Sequence, residues 1–137
     1  MRIVLLGAPG AGKGTQASVI AKQRGVAHVA SGDLFRKHLG EGTELGALAK
    51  TFMDEGQLVP NDVTIKMVLE RIGEADAAGG YVLDGFPRNL AQAESLDAAF
   101  AEAGQELDVA PLVEVDTEEL VRRLAGRWIC RQCQTPY

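Results

Sequence analysis

The residues with the plainest chemistry are Gly7-Ala8-Pro9-Gly10-Ala11-Gly12-Lys13-Gly14-Thr15, which directly follow the apolar run Ile3-Val4-Leu5-Leu6. Glycines let a backbone bend until several N–H groups face one anion. A helix that begins behind such a turn presents its positive end to the same anion. Lys13 adds a charge able to reach outer phosphates, and Thr15 adds a hydroxyl for Mg²⁺. The pattern G-x-x-x-x-G-K-[ST] holds from Gly7 to Lys13, but position 14 is glycine and the hydroxyl comes one place later. An ordinary glycine-rich strand-to-helix turn is the bland alternative. The density of glycine and proline around one lysine, straight after a strand, argues instead for binding a nucleoside triphosphate.

Asp84 ends a second apolar run, Tyr81-Val82-Leu83. A strand-end aspartate beside a phosphate loop suits Mg²⁺, often through water. Since Gly85 follows, Asp84 also reads as a turn or helix cap. Arg88 closes the rigid turn Asp84-Gly85-Phe86-Pro87-Arg88, while Arg123 and Arg127 stand four apart, as if to clamp one phosphate chain from one helix face. Any one of Arg36, Arg88, Arg123 and Arg127 alone reads as a solvated surface residue. As a set they match phosphoryl transfer, which develops charge on oxygens that guanidinium groups stabilise.

Strands and helices must hold these residues in place. Residues 2–6 read as a buried parallel strand and 13–24 as the helix behind the loop. A short strand around 28–30 leads to Ser31-Gly32-Asp33, a helix start at which Ser31 doubles as a plain N-cap. Helical segments follow at 33–40, 44–55 and 61–74. The last carries Ile65, Val68, Leu69 and Ile72 at helical spacing. Strands are expected at 81–84 and 112–115. A helix starts at Asn89, with Ala93, Leu96 and Phe100 on one face. Another starts at Asp116, where Asp116-x-x-Glu119 has the form of a capping box. This alternation predicts an α/β chain with a parallel sheet flanked by helices in three layers. Gly7, Ser31 and Asp84 then fall at strand carboxyl ends, where such sheets bind ligands.

The chain has 137 residues, 46% of them hydrophobic and 5% aromatic, so one domain with a largely aliphatic core is expected. A net charge of −5 without a basic stripe argues against a nucleic-acid partner. No apolar run approaches membrane-spanning length, and the first fifteen positions read as strand and loop rather than signal peptide. A soluble, cytoplasmic protein without a membrane partner is expected. The stretch 31–59 is mostly helical and too long for a plain crossover, which suits an inserted lobe forming a second pocket for an acceptor.

Together these motifs resemble, over the whole chain, adenylate kinases of the bacterial type. GAPGAGKGT is similar to that family's variant of the phosphate loop, with its threonine displaced. The resemblance implies a P-loop nucleoside-kinase-like fold and the Mg²⁺-dependent reaction ATP + AMP ⇌ 2 ADP. It implies that Gly10, Ala11, Gly12, Lys13, Gly14 and Thr15 hold ATP, with Arg127 reaching its phosphates. Ser31, Arg36, Gln57, Leu58, Val59, Gly85, Phe86, Pro87, Arg88 and Gln92 would hold AMP. Lys13, Arg88, Arg123 and Arg127 would be the catalytic cations, and Thr15 with Asp84 the Mg²⁺ site. Residues 1–30 and 60–126 correspond to a core, 31–59 to the AMP lobe, and 127–137 to the start of a lid. Gln92 has a local reading too, since Asn89-x-x-Gln92 fits a capping box.

Cys130-x-x-Cys133 is similar to the first half of a zinc knuckle, but a structural zinc needs four ligands. A disulfide, an idle thiol pair, or zinc shared between two chains are the alternatives. Family members with such a lid continue well beyond position 137, so the chain reads as truncated within the lid and its fold as incomplete at the C-terminus. The full-length family implies a monomer. An unpaired sheet edge here implies lower stability and self-association, and turnover by this chain stands against nucleotide binding with little turnover.

Overall fold

The computed structural model describes residues 1–55, 57, 59–126, 128 and 130. Strand β1 (Arg2–Gly7) runs into the glycine-rich loop and helix α1 (Lys13–Arg24). β2 (Ala27–Ala30) passes directly into α2 (Ser31–Glu41), followed by α3 (Glu44–Asp54) and α4 (Asn61–Ile72). A 3₁₀ turn at Ala75–Ala77 precedes β3 (Tyr81–Asp84), then α5 (Leu90–Glu102), β4 (Leu112–Val113) and α6 (Thr117–Ala125).

The four strands lie in the order β2-β3-β1-β4, and every pairing is parallel. β1 is central and covered on both faces, which is why Ile3, Val4 and Leu5 form an unbroken apolar run rather than an alternating one. Ile3, Leu5 and Val82 face α1 and pack on Ala17 and Ala21. Val4, Val29, Tyr81 and Leu83 face the other way, onto Val68 of α4 and Leu96 and Phe100 of α5. Helices on both faces of the sheet give the expected three-layer α/β architecture. Each large aliphatic side chain buried here contributes about 1.5–3 kcal/mol. A third apolar group, Ala49, Val63 and Met67 with Phe35, Leu45 and Val59 against it, joins α2 and α3 to α4.

Two helix starts differ from the sequence reading. The residue capping α2 is Ala30, in extended conformation and with no side-chain bond, so Ser31 is the first helical residue rather than the cap. Asp116 precedes α6 but its side chain makes no cap hydrogen bond, and Glu119 does not reach back to it. Glu119 instead pairs with Arg122 and Arg123, because two guanidinium groups one turn ahead attract its carboxylate more strongly than a backbone N–H does. The strand expected at 112–115 is shortened to Leu112–Val113. Among the described residues only β1 lies beside it, pairing Leu6 with Leu112 and Gly7 with Val113.

Candidate active site

Gly7, Asp84 and Ala30 end β1, β3 and β2, and all three border one cavity of about 1210 Å³ at the carboxyl edge of the sheet. The loop reaches this cavity through three glycines with positive φ: Gly7 at 142°, Gly10 at 82° and Gly12 at 93°. At Gly7 a Cβ would fall 2.6 Å from the carbonyl oxygen of Val113, so the close approach of β1 and β4 admits no side chain there. Gly12 then caps α1, whose N-terminal end opens on the cavity. Lys13 folds back over the loop. Its Nζ donates to the carbonyls of Gly7 and Ala8, both at 2.9 Å.

The position of the displaced hydroxyl coincides with a close approach of Asp84 to the loop. A Cβ at Gly14 would lie 3.1 Å from Oδ2 of Asp84. A serine or threonine at 14 would therefore press on the carboxylate, whereas Thr15 borders the cavity and is exposed. Asp84 makes no cap contact among the described residues. Its carboxylate lies 3.9 Å from Nε2 of His28.

The opposite wall is built from the turn after β3. Gly85, at φ 75°, carries its carbonyl to both the Ser31 hydroxyl at 2.8 Å and Arg88 Nε at 2.6 Å. Arg88 Nη2 also donates to Ser31 Oγ at 3.0 Å. Ser31, 2% exposed, thus ties β2 to the turn and orients the Arg88 guanidinium. Arg36 stands beside Gly32 on the same wall, ion-paired with Asp33. From the side of α6, Arg123 Nη1 donates to the Gly10 carbonyl at 3.3 Å while its Nε holds Glu119 at 2.7 Å. The Arg122 and Arg123 guanidiniums hold the Glu119 carboxyl below its ordinary pKa.

Of the residues singled out in the sequence, Gly10, Gly12, Lys13, Gly14, Thr15, Ser31, Arg36, Asp84, Gly85, Pro87, Arg88 and Arg123 border this cavity. Ala11 is buried and Phe86 belongs to the core, behind a cis bond to Pro87. Gln57 and Val59 do not border it, and Val59 packs on the Ala49–Met67 group. Gln92 is 5% exposed, and both ends of its amide are engaged. Its Oε1 accepts from the Arg88 N–H at 2.8 Å, and its Nε2 donates to Asn61 Oδ1 at 3.0 Å. The Asn89 side chain meanwhile caps α5 by accepting from Gln92 N. The local, helix-capping arrangement of Asn89 and Gln92 is thus present, displaced by one residue on the return bond. Leu58, Arg127 and Cys133 lie outside the described residues. Cys130 is half-buried and forms no disulfide among the described residues.

His28, Asp33 and Leu124 also border the cavity, and the sequence reading assigned them no role. The signal for His28 was strand parity: it stands two residues before Ala30, which pairs with Asp84.

The donor set fits a small hard cation that arrives with its own ligands. One carboxylate and one hydroxyl are oxygen donors suited to Mg²⁺, which keeps waters and takes phosphate oxygens for the rest. Among the described residues no group of three or more His, Cys, Asp or Glu forms a self-sufficient metal cage. Nor is any helix among them long and apolar enough to cross a membrane.

The family profile described as Adenylate kinase matches residues 5–132. The adenylate kinase of Streptomyces griseus subsp. griseus is 54% identical over 131 residues, 96% of this chain and 60% of its own length. That of Streptomyces avermitilis is 55% identical over 131 residues, with the same coverage. That of Staphylococcus epidermidis is 52% identical over 137 residues, all of this chain and 64% of its own length. The chain thus spans about three fifths of the length of the curated relatives it matches. A family profile that matches all but the chain's ends, and relatives more than half identical over nearly every residue, show that the chain belongs to the adenylate kinase family.

Proposed function

We propose that this chain carries the two substrate pockets of an enzyme that transfers a phosphoryl group from ATP to AMP, giving two ADP. The observation that carries the reading is one cavity with two cationic walls: the phosphate loop with Lys13 and Arg123, and across from it Arg36 and Arg88. Two phosphorylated ligands can then approach with their phosphates facing each other. Gly10 to Thr15 and Arg127 would hold ATP. Ser31, Arg36 and Gly85 to Arg88 would hold the AMP phosphate, with Gln57, Leu58, Val59 and Gln92 around its base. Residues 31–59 would be the acceptor lobe on a core of 1–30 and 60–126; the start of a lid expected at 127–137 lies, apart from positions 128 and 130, outside the described residues.

Lys13, Arg88, Arg123 and Arg127 serve by charge and position, since phosphoryl transfer needs in-line placement more than a general base. Asp84 and Thr15 would hold the Mg²⁺ that accompanies the nucleotide and neutralises developing charge. Lys13 Nζ exchanges the Gly7 and Ala8 carbonyls for phosphate oxygens when the loop fills. Gln92 already holds Arg88 N–H and Asn61 with its amide, so it would read adenine with its second N–H or by releasing one of these hydrogen bonds; a kinase of another nucleoside monophosphate is the second reading. A zinc site at Cys130 and Cys133 would need ligands from further chain or a second copy. The reading places the protein in the cytoplasm, in adenine nucleotide homeostasis.

The test is ADP formation from ATP, AMP and Mg²⁺ by residues 1–137, with Lys13→Ala alongside. Turnover falling at least about 100-fold in the variant supports transfer at this cavity. Nucleotide binding without turnover would reduce the chain to a binding unit. Faster use of CMP, UMP or GMP than AMP would favour the second reading.

A further inference from the structure

We propose that His28 is a positioning residue for Asp84, holding its carboxylate toward the divalent cation that a bound triphosphate carries. This rests on the metal–nucleotide reading of the cavity given above.

The sheet register brings the two residues together. Ala30 pairs with Asp84 and His28 with Val82, so His28 and Asp84 are diagonal neighbours on the face shared with Val82, Ile3 and Leu5. Nε2 of His28 is 3.9 Å from Asp84 Oδ2. That nitrogen is buried and has no hydrogen-bond partner among the described residues. Leaving a buried ring nitrogen unpaired is costly, and a shift of about 1 Å would bring it within hydrogen-bond distance of the carboxylate. On its other side the same Oδ2 faces Gly14 of the glycine-rich loop, close enough that a Cβ there would stand 3.1 Å away. The carboxylate therefore lies between a ring nitrogen on β2 and that loop. Carboxylates that serve metals keep their orientation through such outer hydrogen bonds, and losing one weakens metal affinity about 10-fold or more.

The ring has no further task in the cavity. Its side chain as a whole is 28% exposed, and the catalytic reading routes no proton through it. The Nε2 position, rather than the ring's bulk, is the feature that matters, and glutamine can supply an N–H from a similar reach.

The experiment is calorimetric titration of ATP into residues 1–137, once with Mg²⁺ and once with EDTA. It is run for the unmodified chain, His28→Leu, His28→Gln, and both Asp84→Asn and its combination with His28→Leu. His28→Leu is expected to weaken ATP binding about 10-fold with Mg²⁺ and to leave metal-free binding unchanged. His28→Gln should retain most of the Mg²⁺ effect. In the Asp84→Asn background, His28→Leu should cause no further loss, because the histidine acts through that carboxylate. Equal losses with and without metal, no loss at all, or an undiminished loss in the Asp84→Asn background would each overturn the proposal. If ATP binds and Mg²⁺ responds normally in His28→Leu, this inference fails alone. If the unmodified chain binds no ATP, the nucleotide reading fails with it.

Discussion

Tyr81 opens β3 with its ring 1% exposed and its centroid 6.4 Å from that of Phe100. Its hydroxyl is buried with no hydrogen-bond partner among the described residues. Such a group keeps the cost of leaving water without a compensating bond. Burial pushes the phenol above its ordinary pKa, against weaker opposing pulls from the charge and the nearby N–H groups of the Arg2 guanidinium, which stands close without completing a well-formed hydrogen bond. The unfolded chain then ionises Tyr81 from about pH 10 while the folded chain does not. Stability from this residue is intact below that pH and falls as pH rises through the folded value. Tyr81→Phe should leave stability unchanged or raise it by about 1 kcal/mol at pH 7.5. It should also lose less than the parent on going to pH 10.5, as urea unfolding at the two pH values would read. A loss above about 1 kcal/mol at pH 7.5 would show that the hydroxyl has a partner after all.

At the scale of elements, the crossing of α2 and α3 is the tightest point of the lobe. A Cβ at Gly46 would fall 2.1 Å from the carbonyl oxygen of His38, so the two helices meet backbone to backbone. Thr43 starts α3 by accepting from Gly46 N at 3.1 Å, and its hydroxyl lies 2.7 Å from His38 Nδ1, so cap and crossing share residues. Gly46→Ala should cost about 3 kcal/mol or more by overpacking. Loosening should reach α4 through Ala49, Val63 and Met67. Denaturant unfolding gives the magnitude, and hydrogen exchange would place the loss in residues 31–54 while β1 and β3 keep their protection. An unchanged midpoint would mean that the helices separate without cost. The mirror case is α6, where charge overrode a local motif. The Asp116-x-x-Glu119 spacing was legible, but Glu119 had two arginines one turn ahead.

At the scale of the molecule, β4 is the edge strand of the sheet among the described residues, with β1 on one side. Leu112 is 60% exposed, and Val121 on α6 is 62% exposed. An apolar edge with free backbone groups pairs with another chain when it can. Residues 1–137 should therefore show a weight-average mass that rises with concentration in sedimentation equilibrium. Leu112→Lys should return them to monomer mass. A monomer across the range for the unmodified chain would remove the edge as an association site.

What the sequence determined is everything whose cause is local. The apolar runs 2–6 and 81–84 could only be covered strands. The bounds of the helix at 13–24 follow from a glycine at each end, Gly12 and Gly25, both left-handed. The alternation of strand and helix dictates a parallel sheet, and with it the edge on which Gly7, Ser31 and Asp84 meet. Tertiary structure decided whatever depends on residues distant in the chain. Asp84 crowds any side chain at position 14, Val113 leaves no room for one at Gly7, and Gly85 turns Ser31 from a cap into a tie. The commitment of Gln92 to Asn61, the pull of Arg122 and Arg123 on Glu119, and the facing of His28 and Asp84 belong to the same class. Spacing along a chain encodes one residue's neighbours within a turn or a strand. Which partner a polar group takes across 31, 56 or 113 positions is settled only when the sheet and its helices have closed around it.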